Sequence, residues 1–327
     1  MRIAERAANL LGLDLDAVGR DSLERAMDRG ADRLGLPDRA AYLAILAGNP
    51  AERRWLAGQA VVQESWLMRD PDALAALARL ARDLPRPVRV LCVPCARGEE
   101  PASIAAALLD AGIPLEDFLV DAADANPQAL EQARAGRFGP GSVRGPLAGR
   151  SPHFRRDADD MVLSPAALAR IRFFEADVLD QDFLAGEAPY PVVFCRHLLI
   201  YLNPCGRRRL VASLRRRLAP GGALFTSPSE AATFLQLGLT PFGAQSCPVP
   251  TVRLEQGPAP APARTHAPKA APARAAVARR GLVTPPVPAA ETVAQGCPVA
   301  TARALADAGQ LREALEHIDA ALERSGP

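Results

Sequence analysis

The sequence predicts an α/β protein: an open, mostly parallel sheet with helices on both faces, behind a helical N-terminal domain. Three observations point to it. Residues 1 to about 80 have a helical rhythm throughout. Residues 86 to about 256 alternate short β-rich runs with helical ones, the pattern of strands joined by crossover helices. The chain has 327 residues, enough for about two domains with a sizeable core.

Small and apolar residues at Leu23, Ala26, Met27, Gly30, Ala31 and Leu34 fall on one face of a helix. Further helices are expected over Ala40–Leu46, Ala51–Gln63 and Asp72–Arg82, each after a break such as Gly35, Pro37, Asn49-Pro50 or Asp70-Pro71. The first strand is expected at Val88–Val93, followed by a helix from Pro101 to Ala111, a strand at Phe118–Ala122 and a helix through Leu130–Ala135. Strands at Ile171–Phe174 and Pro191–Phe194, a helix over Cys205–Leu218 and a strand at Gly222–Phe225 continue the alternation. Phe242 onward and Thr251–Leu254 read as a closing hairpin. Residues 257–298 are rich in Pro and Ala and read as a semi-extended linker. Residues 299–327 read as two short helices turning at Gly309, a single tetratricopeptide-like hairpin too small to bury its own faces. The expected organisation is therefore 1–82 helical, 83–256 the α/β domain, then the linker and the hairpin.

With 39 basic and 37 acidic residues the net charge is +2, which excludes a nucleic-acid binder working through bulk positive charge. No apolar run approaches a membrane span, and the N-terminus lacks a signal-peptide stretch, so the expectation is a cytoplasmic protein without membrane insertion. Lys269 is the only lysine, and the Arg and Ala excess reads as coding bias. The six cysteines do not make a disulfide framework, and Cys92-x-x-Cys95 has no second close pair to complete a zinc site, so no metal is expected.

The strongest local signal is RVLCVPCARGEEPASIAAALLDAG, residues 89–112: a buried strand, a turn with Gly98, then a helix opening on Glu99, Glu100 and Pro101. Gly98 lets a ligand approach the backbone, and two acids suit the positive end of a helix, although capping alone accounts for Glu100. Asp124 follows at the tip of the second strand, where nucleotide-type folds hold ribose hydroxyls. The chain has no GxGxxG, and an acidic turn would repel a pyrophosphate. A sulfonium cofactor carrying adenosine without phosphate suits the site better.

PCARGEEPASIA (94–105) resembles the PCSTGEEPYSIA-like motif of CheR-type chemotaxis methyltransferases. The likeness recurs in order. QESWLMRDP (63–71) is similar to the family's ETxFFRD, SVRG (142–145) to SFRG, FFEADVLD (173–180) to F-x-x-x-N-L-L, FCRHLLIYLNP (194–204) to FCRNVLIYF, and LAPGGALFTSPSE (218–230) to L-x-P-G-G-x-L-x-x-G-H-S-E. The resemblance implies a class I, Rossmann-like methyltransferase sheet with a helical N-terminal domain and a small inserted β subdomain, here residues 137–170. It also implies S-adenosylmethionine as cofactor and S-adenosylhomocysteine as product.

Carried over by position, the resemblance assigns the cofactor Gln63, Ser65, Arg69, Gly98, Glu99 and Asp124, with Asp177 and Val178 flanking the adenine and His197 and Leu198 beside the methionine portion. Arg69 and Tyr201 are its candidates for the reaction. Arg69 can place either the acceptor carboxylate or the cofactor's own, and Tyr201 can orient the acceptor by hydrogen bonding. The implied activity is methylation of glutamates on chemoreceptor signalling domains, with the C-terminal hairpin as a possible site for a further protein partner. Two other readings stay open: a degenerate protein that only binds or senses the cofactor, and a methyltransferase with a different protein acceptor. Arg25, Arg29 and Arg33 form one stripe suited to receptor docking, or else a solvated helix face laced with ion pairs.

Overall fold

The computed structural model describes residues 2–61, 63–144, 151–241 and 251–253. The expected linker and hairpin, and the strand expected from Phe242, lie outside these residues. Six helices precede the first strand: α1 (Ile3–Leu11), α2 (Leu15–Val18), α3 (Arg20–Arg33), α4 (Arg39–Gly48), α5 (Pro50–Ala60) and α6 (Pro71–Asp83). Asp14, Asp38 and Asn49 cap α2, α4 and α5 by accepting from first-turn N–H groups, so the breaks seen in the sequence become helix starts. None of the helices among the described residues is long and apolar enough to cross a membrane.

The central sheet then alternates with helices: β1 (Val88–Cys92), α7 (Glu99–Asp110), β2 (Phe118–Asp124) and α8 (Pro127–Ala135). An insert of β3 (Arg137–Phe138), β4 (Phe154–Asp157), β5 (Asp160–Leu163) and α9 (Pro165–Leu168) follows. The sheet resumes with β6 (Ile171–Glu175), β7 (Tyr190–Phe194), α10 (Pro204–Arg217), β8 (Leu218–Phe225), α11 (Pro228–Gln236), β9 (Thr240–Pro241) and β10 (Thr251–Arg253). The strand order is β6-β2-β1-β7-β8-β10-β9, with the first five strands parallel and β10 antiparallel to both neighbours. This is the class I methyltransferase sheet that the resemblance implies. The insert forms its own antiparallel sheet, β3-β5-β4.

Side chains alternate across the strands and divide the core in two. Val88, Val90 and Cys92 of β1 face α6, α7 and the insert. Leu91 and Val93 face the other side, where α1, α3, α4, α10 and α11 contribute to a single core. The N-terminal helices therefore bury their apolar faces on the sheet itself. The end of α1 is locked to the start of α10: Asn203 N–H donates to the Gly12 carbonyl, Asp14 N–H to that of Tyr201, and any Cβ on Gly206 would collide with the Gly12 carbonyl.

Two boundaries differ from expectation. Helix α5 ends at Ala60 instead of Gln63, because Val61 is already extended and residues 63–70 run outside the helix as a strap. The strap is pinned by Leu67 N–H to the Ser142 carbonyl and Met68 N–H to Ser103 Oγ, each at 2.8 Å. Strand β8 begins at Leu218 instead of Gly222, since Leu218 pairs with Tyr190 before a register shift. On α3, Arg25 and Arg29 are exposed, while Arg33 pairs with Glu52 and lies over Trp55. The neighbouring acids Glu24 and Asp28 are engaged by Arg39 of α4.

Candidate active site

Four adjacent parallel strands end at one edge of the sheet, and the loops leaving them wall a cavity. Chain order reverses between β1 and β7, so their following loops diverge and open a crevice, the usual ligand position in such sheets. The cavity is open to solvent, and the empty space in and over it, open solvent included, comes to about 1160 Å³. Its walls come from Val61 and the strap at 63–70 and from Val93–Ala96 after β1, Asp124 ending β2, Asp177 and Val178 after β6, and Arg196–Leu198 after β7.

Of the candidates taken from the sequence, Gln63, Ser65, Arg69, Asp124, Asp177, Val178, His197 and Leu198 all line this cavity. Elements far apart in the chain bring them together. Asp124 is 6% exposed, and its two carboxylate oxygens accept from the backbone N–H groups of Ala96, at 2.8 Å, and Asn126, at 2.9 Å. Burial pushes its pKa up, while those N–H donors pull it down. Asp177 turns its own loop by accepting from Leu179 N–H at 2.8 Å.

Gly98, Glu99 and Tyr201 are not on the cavity wall. Gly98 has φ +91°, and a Cβ there would come within 3.0 Å of the Ala133 backbone, so the glycine is required by the packing of α7 on α8. The Glu99 side chain is wholly buried, and Ser142 Oγ donates to its Oε1 at 2.7 Å. Its carbonyl accepts from Ser103 Oγ, the same hydroxyl that holds the strap at Met68. Glu99 thus ties α7 to the strap and to the SVRG segment. Tyr201 packs in a 3₁₀ turn just behind Leu198. Burial raises its pKa, which keeps it a phenol and a hydrogen-bond donor near neutral pH.

Three residues that motif reading passed over hold the site together. Glu100, read only as a cap, lines the cavity and accepts from Arg196 Nη1 at 2.7 Å. Arg196 is buried and also pairs with Asp70 at the end of the strap, so it ties strap, α7 and β7 loop into one unit. Glu230, in the SPSE motif, is 1% exposed and accepts from the backbone N–H groups of His197 and Leu199, both at 2.7 Å. Each of the three sits inside a matched motif, but only the contacts reveal what it does. A further sign is conformational: Met68, Asp70, Ala96 and His197 all have φ between +46° and +60° and all stand in or beside the cavity. Such backbone costs energy, and clusters of it mark functional sites.

Comparison with known proteins fits this geometry. Residues 64–237 match the family described as CheR methyltransferase, SAM binding domain. The chain belongs to the CheR methyltransferase family. It is 39% identical to the probable biofilm formation methyltransferase WspC of Pseudomonas aeruginosa, over 97% of this chain and 81% of the relative. It is 34% identical to the protein of the same name from Pseudomonas putida, over 72% of this chain and 58% of the relative. The chemotaxis protein methyltransferase of Klebsiella aerogenes is 29% identical, over 70% of this chain and 81% of the relative. As a CheR-family protein the chain is an S-adenosylmethionine-dependent methyltransferase.

The CheR-type motif has Asn where this chain has His197, and the backbone explains the exchange. At φ +60° the position is left-handed, a region in which Asn and His are among the better-tolerated non-glycine residues. The imidazole Nδ1 lies 3.5 Å from Arg69 Nη2, and Nε2 is buried without a protein partner. Burial, then the charges of Arg69 and Arg196, hold its pKa below the usual 6.5. The unfolded chain therefore takes up this proton first on acidification. Stability should be full above pH 6.5 and decline as pH falls toward the folded-state value, by at most ~1.4 kcal/mol per pH unit. His197→Asn should flatten that slope, as read from urea midpoints at pH 7.5 and 5.5. An unchanged slope in the variant would place the titration elsewhere.

Proposed function

We propose that this chain methylates glutamate side chains on the cytoplasmic signalling domains of chemoreceptors, giving glutamate methyl esters and S-adenosylhomocysteine. The observation that carries the reading is one cavity bearing the buried Asp124 carboxylate on a strand end and the Arg69 guanidinium on the strap. The names of the relatives, chemotaxis protein methyltransferase among them, support the acceptor class.

The donors present fit the cofactor. Asp124 is placed to accept from ribose hydroxyls, Val178 and Leu198 offer apolar wall, and the unpartnered His197 Nε2 faces no competing protein group. When bound, the cofactor supplies a sulfonium methyl: the carboxylate oxygen gains the new C–O bond, sulfur takes the electron pair of the broken C–S bond, and no proton moves. A glutamate is already an anion at neutral pH, so the chain needs no general base. Its work is positioning and exclusion of water. Arg69 lies over Trp66 at 4.1 Å and donates to the Glu64 carbonyl at 3.0 Å, so its plane is fixed before any acceptor arrives. Burial lowers its pKa, yet a guanidinium stays cationic. Tyr201 stands off the cavity wall, on the 3₁₀ turn that follows Leu198, so its part in the reaction is to hold the shape of that loop.

The test is transfer of radioactive methyl to receptor signalling domains, followed by alkali and recovery of volatile methanol. A base-labile label is the expected result. Label that survives alkali would mean an acceptor atom other than a carboxylate oxygen. Cofactor binding without any transfer would favour a sensing role.

A further inference from the structure

The SVRG segment contributes Ser142 to the scaffold under the strap, which leaves Arg144 without a role. Arg144 pairs with Glu64, which lines the cavity, and its guanidinium lies 4.6 Å from the centre of the Trp66 ring, the same ring that Arg69 covers at 4.1 Å. One indole thus orients two guanidinium groups, one on the cavity wall and one paired with a residue of that wall. Arg144 Nη1 donates to Glu64 Oε1 at 2.7 Å, and the two side chains are 47% and 59% exposed.

The three cations around the cavity are held very differently. Arg196 is buried and committed to Asp70 and Glu100. Arg69 is stacked and directed at the Glu64 carbonyl and His197. Arg144 alone of the three pairs with a carboxylate that is mostly in water, and such pairs are weakly held and readily exchanged. Its partner is, moreover, a glutamate.

The geometry points to Arg144 as the residue that receives the acceptor carboxylate, with Glu64 occupying that place until the acceptor arrives. This rests on the glutamate methylation proposed above. An incoming glutamate has the charge and length of Glu64, so it exchanges one charged hydrogen bond for another while Glu64 returns to water. One acceptor oxygen pairs with Arg144 and the other remains free to react. Once the ester has formed, the side chain is neutral and no longer competes for the guanidinium. Glu64 pairs with Arg144 again, and product leaves. The pair therefore distinguishes substrate from product by charge, and it selects glutamate over glutamine for the same reason.

The experiment is steady-state methyl transfer with the full chain at saturating S-adenosylmethionine, varying the receptor signalling domain. Arg144→Ala should raise KM for the acceptor on the order of tenfold, the loss of a charge-assisted hydrogen bond, with kcat little changed. Its salt dependence of KM should be shallower than in the wild type. Arg144→Lys should recover part of the affinity, since the charge returns without the planar fork. Glu64→Gln should lower KM, a gain that a merely structural contact would not give. Calorimetry with S-adenosylhomocysteine, expected to be native in the arginine variants, shows that they are folded. A native acceptor KM in Arg144→Ala, beside a wild type that methylates, overturns this assignment and leaves the functional reading intact. A wild type that labels no carboxylate overturns both.

Discussion

Replacing Asp124 by alanine is expected to weaken binding of S-adenosylhomocysteine by about 1.5–3 kcal/mol, the range for hydrogen bonds to a charged group, or roughly ten- to a hundredfold. The carboxylate sits at the tip of β2 on the cavity wall, and it is already fixed by Ala96 and Asn126 N–H groups on separate oxygens. An incoming ribose diol therefore meets acceptors that need no reorganisation. Alanine removes those acceptors and also strands two backbone donors, so part of the damage will appear as lost stability. Asp124→Asn separates the two effects. Its single amide oxygen can serve only one of the two backbone donors, and it lacks the charge, so affinity should fall between wild type and alanine. Isothermal calorimetry beside thermal unfolding of the same samples decides the matter. Native affinity in the alanine variant would take Asp124 out of the cofactor site.

The sequence made the sheet legible for a simple physical reason. Parallel strands buried on both faces, such as Val88–Cys92 and Tyr190–Phe194, read as short apolar runs and lie within a residue of the expected bounds, as does the half-buried edge strand Ile171–Glu175. Asp124 was legible too, because a strand tip one crossover beyond the first turn is where such a sheet places a ligand. What the sequence hid were the contacts between segments. Glu99 looks from its motif like a ligand residue, and it is a buried strut on Ser142. Gly98 looks like a ligand-approach glycine, and it is a packing glycine against Ala133. Glu100 looks like a helix cap, and it is the partner of Arg196. No local pattern separates two adjacent glutamates at a helix start; the crossing of the strap over that helix does, and it depends on contacts more than thirty residues away. The end of α5 was missed for the same reason. Nothing in Val61–Gln63 forbids helix, but the strap beyond is held in a non-helical course by α7 and by the insert.

Glu230→Ala is expected to lower turnover by at least about thirtyfold, because two buried N–H groups lose their acceptor at once, at about 1–3 kcal/mol each. Those donors belong to His197 and Leu199, on either side of the cavity-lining Leu198, and Ser227 Oγ donates to the same carboxylate at 2.6 Å. His197 is held at φ +60° in a loop this carboxylate anchors, and relaxation toward negative φ would swing both Leu198 and the 3₁₀ turn that carries Tyr201. Cofactor affinity should fall too, because His197 and Leu198 wall the same cavity, but by less than turnover, since Asp124 and the strap stay in place. Glu230→Gln is the informative companion. His197 N–H and Leu199 N–H use different carboxylate oxygens, and an amide supplies only one, so the glutamine variant should lie between wild type and alanine in turnover and close to wild type in cofactor affinity. Single-turnover methyl transfer with saturating cofactor, set beside calorimetry with S-adenosylhomocysteine, measures the two effects separately. Equal losses in turnover and affinity would mean that Glu230 supports the cavity as a whole. Native turnover in the alanine variant would mean that the loop keeps its shape without this anchor, and that the strain at His197 is held by the packing of Leu199 instead.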